Sequence, residues 1–146
     1  MTDPVFVDTN VLVCVRDATD PEKQRRAAEW VAALWDDRTG RLSPQVLQEY
    51  YVTLTRKLEP PRSREEARED VTSLAAWGPV PPDHDTFEIA WRVEDRFGLS
   101  WWDALIVAAA LRAECPWLLS EDLQDGLDIF GVKVIDPFTH LPEEVP

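Results

Sequence analysis

Val5-Phe6-Val7-Asp8-Thr9-Asn10 is the stretch on which the fold turns. Three successive apolar residues, two of them β-branched, read as a short buried strand. Asp8 ends that strand abruptly. Two further continuous apolar runs, Trp117-Leu118-Leu119 and Val132-Lys133-Val134-Ile135, have the same look. Strands covered on both faces lose the alternation of half-exposed ones, so these runs suit the inside of a parallel sheet.

Between the runs the pattern is helical. Asp20 to Arg38 has Asp20 as N-cap, Pro21 at the first position and an apolar stripe of Ala27, Trp30, Val31 and Leu34, with Gly40 expected to end it. Ser43-Pro44 opens a helix with Leu47, Tyr50, Tyr51, Leu54 and Leu58 at helical spacing, stopped by Pro60-Pro61. Ser63-x-x-Glu66 is a capping box ahead of Ala67, Val71, Leu74 and Ala75. Asp83 or Asp85 begins a helix carrying Phe87, Ala90, Trp91 and Phe97, closed by Gly98. Ser100 caps the next, which runs to about Glu114; its unbroken apolar run Ala104–Leu111 predicts a central buried helix. Val11–Val15 is β-branched, and its period fits either a hairpin strand or a short helix. Strand, helices, strand, short helix and strand make an α/β fold, with helices covering a small parallel sheet. The proline-rich, acidic tail Pro137–Pro146 is expected to be ordered only in part.

The chain has 146 residues, 45% of them hydrophobic, which suffices for one domain with a sizeable core. No run is long enough for a membrane span, and Met1-Thr2-Asp3-Pro4 lacks the features of a signal peptide, so a cytoplasmic location is the expectation. Cys14 and Cys115 are expected to be buried free thiols. A net charge of −13 is the wrong sign for holding nucleic acid on a broad basic surface and suits a basic partner.

Four acids stand at the ends of apolar runs or beside them: Asp8, Glu49, Asp103 and Asp122. Each has an ordinary explanation. Asp8 suits a turn or cap, Glu49 a solvated helix face, Asp103 a capping box with Ser100, and Asp122 an acidic loop beside Glu121. Their joint placement is more informative. Asp8 and Asp122 each follow a strand candidate, on the sheet edge where ligands of α/β proteins gather. Other chemistries have little to draw on. His84 and His140 have no nucleophile motif nearby, the glycines form no phosphate-binding loop, and there is no Cys/His cluster for structural zinc. Clustered carboxylates raise one another's pKa, and a divalent cation relieves this. Mg²⁺ prefers oxygen ligands and can activate water for phosphodiester cleavage.

With these segments assembled, the chain resembles the PIN-domain family, and within it the VapC toxins of type II toxin–antitoxin pairs. The matching stretches are Val5–Leu12, Ser43-Pro44-Gln45-Val46-Leu47-Gln48-Glu49-Tyr50, Leu99-Ser100-Trp101-Trp102-Asp103-Ala104 with its continuation to Ala110, and Leu118-Leu119-Ser120-Glu121-Asp122-Leu123. Val134-Ile135-Asp136-Pro137-Phe138 suits the family's last strand. Each motif alone is weak; four in order over nearly the whole chain are specific. The resemblance implies a single PIN domain over residues 1–146, with a three-layer fold in which helices flank a small parallel sheet. It makes Val11–Val15 helical.

It also implies an endoribonuclease that uses Mg²⁺, with Mn²⁺ as an alternative. Asp8, Glu49, Asp103 and Asp122 are then its catalytic and metal-binding acids, with Asp125 the alternative to Asp122. Thr9, Asn10 and Ser120 would support them. The implied partners are an RNA substrate and a VapB-type antitoxin with a basic tail; homodimers and larger toxin–antitoxin complexes are expected. Arg16, Arg25, Arg26 and Arg92 are candidates for RNA phosphates. Trp101 and Trp102 could stack on bases or pack in the core.

Two other readings stand beside this one. A haloacid-dehalogenase-like phosphatase would also use an Asp after its first strand, but it wants a second Asp where this chain has Asn10. A non-catalytic α/β binding module, receiver-like or a degenerate PIN scaffold, would show an acidic cluster without the activity.

Overall fold

A computed structural model describes residues 3–145; Met1, Thr2 and Pro146, at the ends of the terminal segments discussed above, lie outside the described residues. The first strand, β1 (Val5–Val7), is fully buried and central. It pairs in parallel with β2 (Gly40–Arg41) on one side and β3 (Trp117–Leu119) on the other. The last strand, β5 (Val132–Ile135), continues the parallel sheet beyond β3, and β4 (Asp128–Ile129) adds an antiparallel edge. The order is β2-β1-β3-β5-β4. Val7 is registered with Leu119, and Leu119 with Ile135, so β1, β3 and β5 finish level. The N–H of Asp8 therefore donates to the Leu119 carbonyl (2.9 Å), and the N–H of Ser120 to the Ile135 carbonyl (3.0 Å).

The helices α1 (Thr9–Arg16), α2 (Pro21–Asp37), α3 (Pro44–Val52), α4 (Arg64–Leu74), α5 (His84–Phe97) and α6 (Trp101–Arg112) flank this sheet. The fold is thus the α/β arrangement expected, and Val11–Val15 is helical. The caps follow the sequence. Asp20, Ser43, Ser63, Asp83 and Ser100 each accept from the N–H three residues on, satisfying a donor that the first helical turn leaves free. Asp83, not Asp85, caps α5, in a reciprocal box with Thr86. α6 buries Ala104, Ile106, Val107, Ala108 and Ala110, as its all-round apolar sequence predicts, and packs on α5, β3 and β5. Trp30 of α2 is fully buried, and its indole N–H donates to the carbonyls of Pro137 and His140 (both 3.0 Å). That bond ties the C-terminal segment to α2. Val145 is buried as well, and His140 bridges Asp125 and Glu144 at 2.9 Å each.

Two local expectations are corrected. Gly40 does not end α2. The helix stops at Asp37, and Arg38 caps it in the left-handed region (φ 59°). Gly40 belongs to β2, directly beneath the Trp77 indole; a Cβ there would stand 2.6 Å from that ring. α3 does not run on as a regular helix to Leu58. From Thr53 to Lys57 it widens into a π-helical turn.

Gly40 predicts a specific sensitivity. Gly40→Ala should destabilise the fold by about 1–3 kcal/mol through overpacking against the buried Trp77 ring. Urea unfolding measures this, and a variant as stable as the parent would contradict the contact.

Candidate active site

Asp8 is the N-cap of α1 and follows the last residue of β1, which buries it at 6% exposure. One carboxylate oxygen accepts from the Thr9 N–H (2.8 Å). The other accepts from the Ser120 hydroxyl (2.8 Å) and the Asn10 amide (3.2 Å). The same amide reaches Asp122 Oδ2 (3.0 Å) and Ser120 Oγ (3.3 Å). The Asp122 N–H donates to Ser120 Oγ (3.2 Å), and the Glu121 N–H to Asn10 Oδ1 (3.4 Å). Asn10 and the buried Ser120 thereby lock the ends of β1 and β3 together around two carboxylates.

Glu49 comes from α3. Its Oε1 accepts from the Thr9 hydroxyl at 3.2 Å, and Gln45, one turn earlier, also bonds it. Gln45 in turn donates to the Trp102 carbonyl (3.2 Å), linking α3 to the start of α6. Asp103 sits in the first turn of α6, its N–H donating to Ser100 Oγ (3.2 Å).

The electrostatics join the four acids into one ring. Burial is the largest cause that pushes the Asp8 carboxyl up, to about 6; its bonds to Ser120 and Thr9 oppose this, and the charges of Asp122 and Glu49 add to it. Glu49 is also raised, first by desolvation, against its bonds to Thr9 and Gln45, with Asp103 adding and Lys57 opposing. Asp103 is raised by burial, against Ser100, with the Asp122 charge adding. Among the described residues no three such groups close into a ready-made metal cage. The ring is open, its donors are all oxygen, and its charges repel. Those properties fit a hard divalent cation.

An open cleft of about 720 Å³ adjoins the ring, lined by Thr9, Asn10, Glu49 and Asp122, and by two lysines, Lys23 and Lys57. Asp125 stands outside the network, bonded to His140 and the Asp136 N–H. The four arginines are not brought to the cleft. Arg16 forms a two-bond pair with Asp70 (2.9 and 2.7 Å), Arg25 bridges Glu22 and Glu29, Arg26 pairs with Glu29, and Arg92 lies beside Glu88. Each is engaged on another face by a nearby acid. Sequence reading passed over the two lysines because neither belongs to a motif. Trp101 packs against Phe87 (5.9 Å between ring centroids), while Trp102 is 63% exposed. Cys115 is buried, which pushes its thiol up to about 12; Cys14 is only half-buried and lines the cleft.

An open cleft at the carboxyl edge of a parallel sheet, with acids from four separate segments at or beside it, places the chain among α/β domains. The PIN domain model matches residues 5–124, and the chain belongs to that family. This sets aside the dehalogenase-like phosphatase. Two solved structures share the fold. A toxin–antitoxin complex from Klebsiella pneumoniae aligns with a TM-score of 0.65 at 19% identity, over 91% of this chain and 97% of that one. VapC20 of Mycobacterium tuberculosis, described as a Sarcin-Ricin loop cleaving toxin, aligns with a TM-score of 0.57 at 20% identity, over 78% and 86%. No curated protein matches by sequence.

The raised Asp8 carboxyl has a signed consequence. The folded state holds this proton more tightly than the unfolded state, so Asp8 costs stability as the pH rises from about 4 through about 6. Metal-free Asp8→Asn should therefore gain on the parent across that window, by on the order of 1–3 kcal/mol at pH 7. Thermal melts of both proteins from pH 4 to 7 measure the gap; a gap independent of pH would contradict the burial argument.

Proposed function

We propose that this chain is a divalent-metal-dependent endoribonuclease of the VapC toxin class, held in check by a VapB-type antitoxin. The observation that carries this reading is the joining of Asp8 and Asp122 through Asn10 and Ser120, with Glu49 bonded to Thr9 beside them and the Asp103 charge acting on Glu49. Asp8, Glu49, Asp103 and Asp122 would hold Mg²⁺ or Mn²⁺. When bound, such a cation supplies Lewis acidity, activates water and offsets charge on a phosphodiester.

The chain's own residues do the rest. Ser120 and the Thr9 N–H fix the Asp8 carboxylate and favour its charged form against burial. Asn10 holds Asp8 and Asp122 at one spacing. The Thr9 hydroxyl and Gln45 orient the Glu49 carboxylate. The net charge of −13 supports the partner assignment, since a basic antitoxin tail would be steered to this surface. The similarity in fold to a toxin–antitoxin complex and to an RNA-cleaving toxin supports the same reading. A homodimer within a larger cytoplasmic complex completes it; among the described residues no helix is long and apolar enough to cross a membrane.

Induction of the chain in a bacterial host should arrest growth and produce new RNA ends, and Asp8→Asn or Asp103→Asn should abolish both. Ser120→Ala removes only a supporting bond and should cost about 10–100-fold in cleavage rate. Full cleavage by either purified variant would contradict this acid site, whereas absence of Mg²⁺ binding by calorimetry would support the non-catalytic module instead.

A further inference from the structure

We propose that Lys57 is the RNA-backbone anchor of the acidic cleft, and that the π-helical turn at the end of α3 is the device that puts it there. This rests on the endoribonuclease reading. The cleft is lined by acids, yet a phosphodiester strand must lie in it, so some cation of the chain has to meet a phosphate oxygen. The arginines are committed elsewhere, as described above. Of the two lysines in the cleft, Lys23 is paired with Glu121 at 2.7 Å and lies over the Phe138 ring, 4.7 Å from its centroid. Lys57 is exposed, lines the same cleft and forms no ion pair among the described residues.

The backbone explains its position. Glu49 and Lys57 are eight residues apart, and in a continuous α-helix that spacing turns a side chain about 80° away from its starting face. Between them the chain leaves the α-helix at Val52 and passes through the wider turn Thr53–Lys57. A wider turn rotates less per residue, which cancels much of that drift and returns Lys57 toward the face of Glu49. Both residues accordingly line one cleft, and the Lys57 charge acts on the Glu49 carboxylate. An ammonium on a flexible stem can reach a non-bridging phosphate oxygen without specifying a base.

The test uses the purified full chain. New RNA ends are first mapped in total bacterial RNA, and a labelled oligonucleotide spanning a mapped site then serves as substrate in Mg²⁺. Lys57→Gln should raise KM about tenfold while kcat changes less than about threefold, with Lys57→Arg recovering most of the loss. The dependence of log KM on log salt should become shallower by about 0.7, the share of one phosphate contact on a single strand. An unchanged KM and salt slope in Lys57→Gln, with Asp8→Asn inactive, would overturn the anchor and leave the nuclease standing. A shifted Mg²⁺ requirement at unchanged KM would overturn it too, since Lys57 would then act only on Glu49. No cleavage by the parent protein would overturn the nuclease reading and the anchor together.

Discussion

The burial of one carboxylate governs this structure. Asp8 is carried to the end of a central strand that is itself fully buried, where water is scarce and an ionised acid is costly. The fold answers with donors from two elements: the Thr9 N–H and the Asn10 amide from α1, and the Ser120 hydroxyl from the end of β3. That answer works only because β1 and β3 end level, and the parallel register places Ser120 beside Asp8. The remaining repulsion from Glu49 and Asp122 is left unrelieved by the protein's own groups, which is the electrostatic argument for a bound cation.

Much of this was legible in the sequence, for identifiable reasons. Strands covered on both faces leave continuous apolar runs, and helix caps leave Ser, Thr or Asp at fixed offsets, so β1, β3, β5 and the starts of α2 to α6 could be placed. The short strands β2 and β4 span two residues each and leave no pattern to read. Gly40 looked like a helix terminator, although its actual constraint is the Trp77 ring, distant in sequence. The π turn carries no composition signal, so the approach of Lys57 to Glu49 required coordinates. The arginines were plausible by charge alone; each finds an acid on its own helix or a neighbouring one.

On the proposed reading the same cleft serves two oppositely charged partners, and it is lined by both acids and lysines. The acids would face a cation or a basic peptide, while Lys57 stands at the end of the π-helical turn that follows α3, with no ion pair among the described residues. A chain with a net charge of −13 presents no broad attractive field to a polyanion, so on the proposed reading RNA contact would be local.

The central claim is that four carboxylates from separate elements make one cation site. The direct measurement is Mn²⁺ binding followed by electron paramagnetic resonance, in the parent chain and in Asp8→Asn, Glu49→Gln, Asp103→Asn and Asp122→Asn. One shared site predicts saturable binding by the parent that is weakened in all four variants and left intact in Asp125→Asn. Binding that survives the loss of Asp8, or that never saturates in the parent, would contradict it.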